Sequence, residues 1–119
     1  MKQGRKISGG RYHKQRKKKL YEMYGQKRVV RLGEEKKKTE KTMGGNKKTF
    51  LFKAKFINLK EKGKMKRIEI KNVLETPSDK FLARQNIITK GTIVQTELGK
   101  ARVTNRPGQE GAVNGVLLE

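Results

Sequence analysis

The first 28 residues hold eleven lysines and arginines and one acid, Glu22. Cations at this density repel one another, and the segment has too little apolar surface to offset the entropy of ordering it. It is expected to stay extended until an anionic partner orders it, so any core must come from the rest of the chain. Residues 1–48 carry 18 basic, four acidic and 11 apolar residues; residues 49–119 carry 14, seven and 27. Tyr12, Tyr21 and Tyr24 lie in the basic stretch, whereas Phe50, Phe52, Phe56 and Phe81 lie downstream. A tyrosine hydroxyl suits a wet surface and phenylalanine a dry core. The division predicts a basic arm over residues 1–26 and a compact body over 27–119.

Over all 119 residues the net charge is +21 and apolar types make up 32%, against roughly 45–50% in an ordinary globular chain. That limits the body to a small core in one domain. The chain has no cysteine and one histidine, which excludes a disulfide framework and a zinc finger. Apolar runs stop at three residues (Phe50–Phe52, Phe81–Ala83, Val116–Leu118), far below the roughly 20 of a membrane-spanning helix or the 7–15 of a signal peptide. A soluble, intracellular, cationic protein is expected, with no membrane partner.

The body reads mainly as strand. From Thr49 to Leu59, Phe50, Phe52, Ala54 and Phe56 alternate with Leu51, Lys53 and Lys55, the period of a half-buried strand. Lys60–Lys64 contains Gly63 and predicts a turn. Met65–Leu74 returns with Ile68 and Ile70 inward and Arg67, Glu69 and Lys71 outward, which predicts a hairpin. Thr76-Pro77-Ser78-Asp79 reads as a helix start, with Thr76 as cap, Pro77 at the first helical position and Phe81 and Leu82 as anchors. Short strands follow at Ile87–Thr89, Thr92–Glu97, Ala101–Thr104 and Ala112–Leu118, separated by Lys90-Gly91, Leu98-Gly99-Lys100 and Pro107-Gly108. Val29, Val30 and Leu32 predict one more strand upstream. Glu34–Thr42 fits a charged helix turn, an edge strand or a solvated loop. The fold class expected is mainly β: a small β-barrel-like domain with one short helix and an extended basic N-terminal arm.

Catalytic chemistry is poorly supplied. His13 sits in the arm without a fixed neighbour. Glu34 and Glu35 are adjacent, so on a strand they point to opposite faces, and Asp79 is the only aspartate. Gly91–Lys100 lacks the spacing of a phosphate-binding loop and has Ala101 where a hydroxyl residue is required. Gly44-Gly45-Asn46 reads as a turn. The arm carries the signal instead: cations neutralise phosphates and release counterions, and interleaved rings stack on exposed bases. A nucleic-acid binder is expected, with no enzyme activity, cofactor, metal or small-molecule substrate. An architectural DNA-binding protein is the alternative.

The stretch Asn86–Glu119, NIITKGTIVQTELGKARVTNRPGQEGAVNGVLLE, resembles the signature block of the S-eight-e family of archaeal and eukaryotic small-subunit ribosomal proteins. SGGR (Ser8–Arg11), RKKKLYE (Arg16–Glu22), GGNKK (Gly44–Lys48) and NVLETPSDKF (Asn72–Phe81) fall in the family's order. The chain is similar to the compact archaeal form, without the long eukaryotic insertion. It departs from the family at Gly33–Met43, where lysines and glutamates replace apolar alternation. The resemblance implies a barrel-like body with a basic extension seated on small-subunit rRNA beside other ribosomal proteins, in the cytoplasm. The residues then expected to bind rRNA are Arg5, Lys6, Arg11, Tyr12, His13, Lys14, Arg16, Lys17, Lys18, Lys19, Tyr21 and Tyr24 of the arm, with Lys27 and Arg28 at its root. Lys47, Lys48, Arg84 and Arg106 join them from the body.

Overall fold

Apolar residues at alternating positions build two β structures that share one core. A computed structural model of the protein describes residues 4–61 and 63–118. Residues 1–3 of the expected arm and Lys62 of the expected Lys60–Lys64 turn lie outside the described residues. The first structure is a three-stranded sheet of β1 (Arg31–Leu32), β2 (Lys36–Lys41) and β3 (Lys47–Ala54) in the order β1-β3-β2. β2 and β3 form a hairpin through Met43–Gly45, where Gly44 and Gly45 take φ of 79° and 82°. These are left-handed values that glycine adopts without steric cost, so the predicted Gly44-Gly45 turn is present.

The second structure is a closed barrel of β4 (Phe56–Glu61), β5 (Lys64–Glu75), β6 (Ile93–Thr96), β7 (Gly99–Val103) and β8 (Asn114–Leu117). Neighbours run antiparallel until β8 closes the barrel by pairing parallel with β4. Gly115 makes that closure possible. A Cβ there would lie 2.8 Å from both the Arg102 carbonyl oxygen and Ile57 Cδ1. Closure leaves the barrel without a free edge for another chain to extend.

Ile57, Leu59, Ile70, Val94, Ala101, Val103 and Val113 fill the barrel, and the same cluster continues through Val30, Leu51, Ala54 and Ile88 into the sheet. Each large aliphatic side chain buried in this way contributes about 1.5–3 kcal/mol.

The predicted hairpin of Met65–Leu74 is present as β4–β5, and Glu34–Thr42 resolves into the edge strand β2. Three expectations are corrected. The single strand Thr49–Leu59 is two strands that part at Lys55 and enter different structures. Leu51 is therefore buried, while Phe52 and Phe56, expected inward, are only half-buried. The helix α1 (Lys80–Arg84) is capped by Asp79, whose carboxylate accepts the Phe81 N–H at 2.9 Å. Thr76 instead closes a turn, its carbonyl accepting the Asp79 N–H at 3.1 Å, so Pro77 precedes the helix. Phe81 is 66% exposed and anchors nothing; Leu82 and Ala83 are half-buried. Finally, Ile87–Thr89 is reduced to a bridge between Ile87 and Arg31, and the reversal expected at Leu98–Lys100 falls earlier, since Gly99 and Lys100 already belong to β7.

Candidate nucleic-acid interface

From Gly4 to Val29 every residue is exposed except half-buried Glu22, and Val30 is the first buried residue. The arm is extended apart from a small turn closed by an Arg5–Arg11 bridge and a 3-10 turn at Leu20–Glu22. It gives the protein a radius of gyration of 20.8 Å and a longest dimension of 67 Å. A compact chain of this length has a radius of about 13–14 Å.

Ten cations lie on the described arm up to residue 28. Only Arg16 and Arg28 meet an acid: Arg16 pairs with Glu22 at 2.7 Å and Arg28 with Glu40 at 2.9 Å. Arg5, Lys6, Arg11, Lys14, Lys17, Lys18, Lys19 and Lys27 have no acidic partner among the described residues. Three lysines lie over the tyrosine rings: Lys6 at 5.7 Å from the Tyr12 centroid, Lys18 at 5.5 Å from Tyr24 and Lys19 at 5.9 Å from Tyr21. Tyr21 and Tyr24 are 78% and 94% exposed, so an aromatic face and a cation are displayed together. His13 is exposed among them.

The arm is fastened where it meets the body. The Ile88 N–H donates to the Val30 carbonyl at 2.8 Å, and the Leu32 N–H donates to that of Asn86 at 2.9 Å. Arg28 stacks 3.7 Å above the Phe50 centroid while pairing with Glu40. Beside this junction an open groove of about 580 Å³ runs between Tyr24–Arg28, Ile88–Lys90 and Arg106–Gln109. Its third wall is a loop organised by Asn105. The Asn105 amide donates to the Ala112 carbonyl at 2.7 Å and to Glu110 at 2.8 Å, and its oxygen accepts the Asn114 N–H at 2.9 Å.

On the body, Lys47 and Lys48 begin β3, and Arg106 is exposed on the groove loop. Arg84 lies 5.6 Å from the centroid of Phe81 and pairs with no acid among the described residues. Lys41 stands directly opposite Lys47, and Lys36 opposite Lys53. Like charges facing across strands destabilise a sheet unless an anion lies between them. Sequence reasoning left Lys36, Lys41 and Lys90 out of the expected set. The first two needed β2 to be read as a strand with its register, and Lys90 needed the groove.

The acids near these cations are held ionised. The Arg16 side chain, then the Lys19 N–H, keep the Glu22 carboxyl below the usual carboxylate range. Lys37, with smaller help from Arg67, does the same for Glu35, and Lys38 foremost for Glu40. Among the described residues no cluster of three or more His, Asp or Glu could hold a metal, and no helix is long and apolar enough to cross a membrane.

A sequence model of the family described as ribosomal protein S8e matches residues 1–118. The chain is similar to the small ribosomal subunit protein eS8 of Methanocorpusculum labreanum, with 40% identity over 97% of this chain and 94% of that protein. The protein of the same name from Staphylothermus marinus is 43% identical over 97% of this chain and 92% of its own length. That of Nanoarchaeum equitans is 41% identical with the same coverage.

Proposed function

The chain belongs to the ribosomal protein S8e family, and from that premise we propose that it binds and orders small-subunit rRNA, mainly through its cationic arm. It is a structural small-subunit ribosomal protein and not an enzyme, located in the cytoplasmic ribosome beside other ribosomal proteins. The observation that carries the rRNA reading is the set of eight arm cations without an acidic partner among the described residues, on a segment whose described residues up to Val29 are never buried. Such a segment has no folded state of its own to stabilise, and its free charges match a phosphate backbone.

The functional division is an arm over residues 1–26 and a body over 27–119. Arg5, Lys6, Arg11, Lys14, Arg16, Lys17, Lys18, Lys19 and Lys27 serve phosphates; Tyr12, His13, Tyr21 and Tyr24 meet exposed bases. Arg28 orients the root of the arm, and Lys47, Lys48, Arg84 and Arg106 add contacts from the body. Fully extended, residues 1–28 span at most about 90–100 Å, enough to thread between rRNA helices. The family leaves the architectural DNA-binding alternative without support.

Sedimentation of native lysate tests the reading. The chain should comigrate with small subunits through a high-salt wash, and lose that association when residues 1–26 are deleted. Migration with chromosomal DNA, or retention of the deleted form at full strength, would refute the arm's role.

A further inference from the structure

Resting on the rRNA reading above, we propose that the groove at the root of the arm receives an unpaired rRNA nucleotide, its base against Tyr24 and its phosphates on Lys27, Lys90 and Arg106. The groove's volume of about 580 Å³ falls in the range of about 300–1,000 Å³ typical of small-molecule sites. None of its lining residues is acidic. Among the described residues Lys27, Lys90 and Arg106 pair with no acid, so the ligand that fits is an anion.

The lining is not purely cationic, which separates a nucleotide from free phosphate. Val30, Ile88 and Pro107 form an apolar floor, and the Tyr24 ring stands almost fully exposed at the side. Base–aromatic stacking uses such a surface. Gln26 and Gln109 add side-chain amides with no partner among the described residues, each able to donate to and accept from a base edge.

An RNA duplex does not fit this shape. Its bases are stacked inside, and it meets proteins through phosphates and its shallow minor groove. Two of the three walls, Ile88–Lys90 and Arg106–Gln109, are set by the body before a ligand arrives. Ile88 holds Val30, and the Leu51 N–H donates to the Pro107 carbonyl at 3.1 Å. The loop passes close beside the arm at Gly108, where a Cβ would be in van der Waals contact with the Arg28 carbonyl oxygen at 3.4 Å. Walls already in place leave only the arm's side of the groove to be ordered by the ligand.

Binding of the full chain to a short unstructured RNA oligomer and to a blunt duplex of the same sequence tests this, alongside intact small-subunit rRNA. The oligomer should be preferred. Tyr24→Ala should weaken it roughly 5- to 150-fold, as the loss of one stacked base does, while Tyr24→Phe keeps most of the affinity. Arg106→Gln and Lys90→Gln should each flatten the salt dependence by about 0.7 in log–log slope. Tyr24→Ala and Arg106→Gln should be non-additive because both touch one nucleotide, whereas Tyr21→Ala, outside the groove, should add independently to Arg106→Gln. Preference for the duplex, wild-type binding by Tyr24→Ala, or crosslinks from Tyr24 to protein in reconstituted subunits would overturn the nucleotide site while leaving rRNA binding intact. Failure of the unaltered chain to bind small-subunit rRNA would remove the underlying reading and this site with it.

Discussion

Arm and body carry the same kind of charge on opposite kinds of support. The arm holds its cations on largely extended backbone with no buried side chain among the described residues up to Val29. The body mounts its own on strands backed by a continuous core and places acids among them: Glu35 with Lys37 and Arg67, Glu61 with Lys66, Glu69 with Lys55. Exposed pairs of this kind contribute little stability, about 0–1 kcal/mol each, but they lower the net field of the surface. The body has a core to fold around, while none of the described arm residues up to Val29 is buried. One chain therefore combines a body with a core of its own and an extended segment whose described residues bury nothing, Glu22 alone being half-buried.

The strongest test of that contrast is in the core. Ile57→Ala or Ile70→Ala should cost about 2–5 kcal/mol in chemical denaturation, whereas Leu20→Ala in the arm should leave the unfolding midpoint unchanged. A comparable loss at Leu20 would mean the arm packs on the body. Deleting residues 1–26 should do the reverse. With about half of its cations on phosphates, the log–log slope of affinity against salt should become shallower by about three to four. Across a fourfold rise in salt the intact chain should then lose about two decades more affinity than the truncated one, with equal thermal midpoints for both. A truncated chain that keeps the full slope would move the binding surface to Lys53, Lys55, Lys71 and Arg84.

Smaller effects sharpen the body's side of the comparison. Asp79→Ala should cost about 1 kcal/mol through the lost cap. Thr76→Val should be neutral or stabilising, because the Thr76 hydroxyl is buried without a partner among the described residues. A loss at Thr76 equal to that at Asp79 would return the cap to the earlier position. The smallest effect is in acid. The Glu35 carboxyl is depressed in the folded chain, so its contribution is full above the ordinary value of 4.5 and is lost progressively as pH falls below it. A carbon-detected titration should place its midpoint below 4.5, and Lys37→Ala should raise it. A midpoint at or above that value would dissolve the clasp between β2 and the barrel.

The arm was legible because its evidence is local: charge density needs no tertiary partner to be read. The barrel was legible from glycine-marked turns and short apolar runs. The break at Lys55 was not, since alternation of period two looks the same whether a strand continues or passes into a second structure. Covering both faces of β3 then buried Leu51, which alternation had assigned outward. Thr76-Pro77-Ser78-Asp79 carries two possible caps three residues apart, and only the turn geometry chooses Asp79. The groove was illegible for a different reason. Its walls come from residues 24–28, 88–90 and 106–109, and only the folded core brings them together.

The parallel seam between β4 and β8 also sets the tempo of folding. Asn58 donates to Asn114 across it at 3.0 Å, a contact between residues 56 apart in the chain. Searching out so distant a partner carries a loop-closure entropy that hairpins such as β4–β5 avoid. High contact order of this kind places barrel formation in the millisecond-to-second range, after the hairpins have formed within microseconds. During that interval the arm needs no folded body to meet phosphates. If the arm binds rRNA as proposed, it is available to do so before the seam has closed.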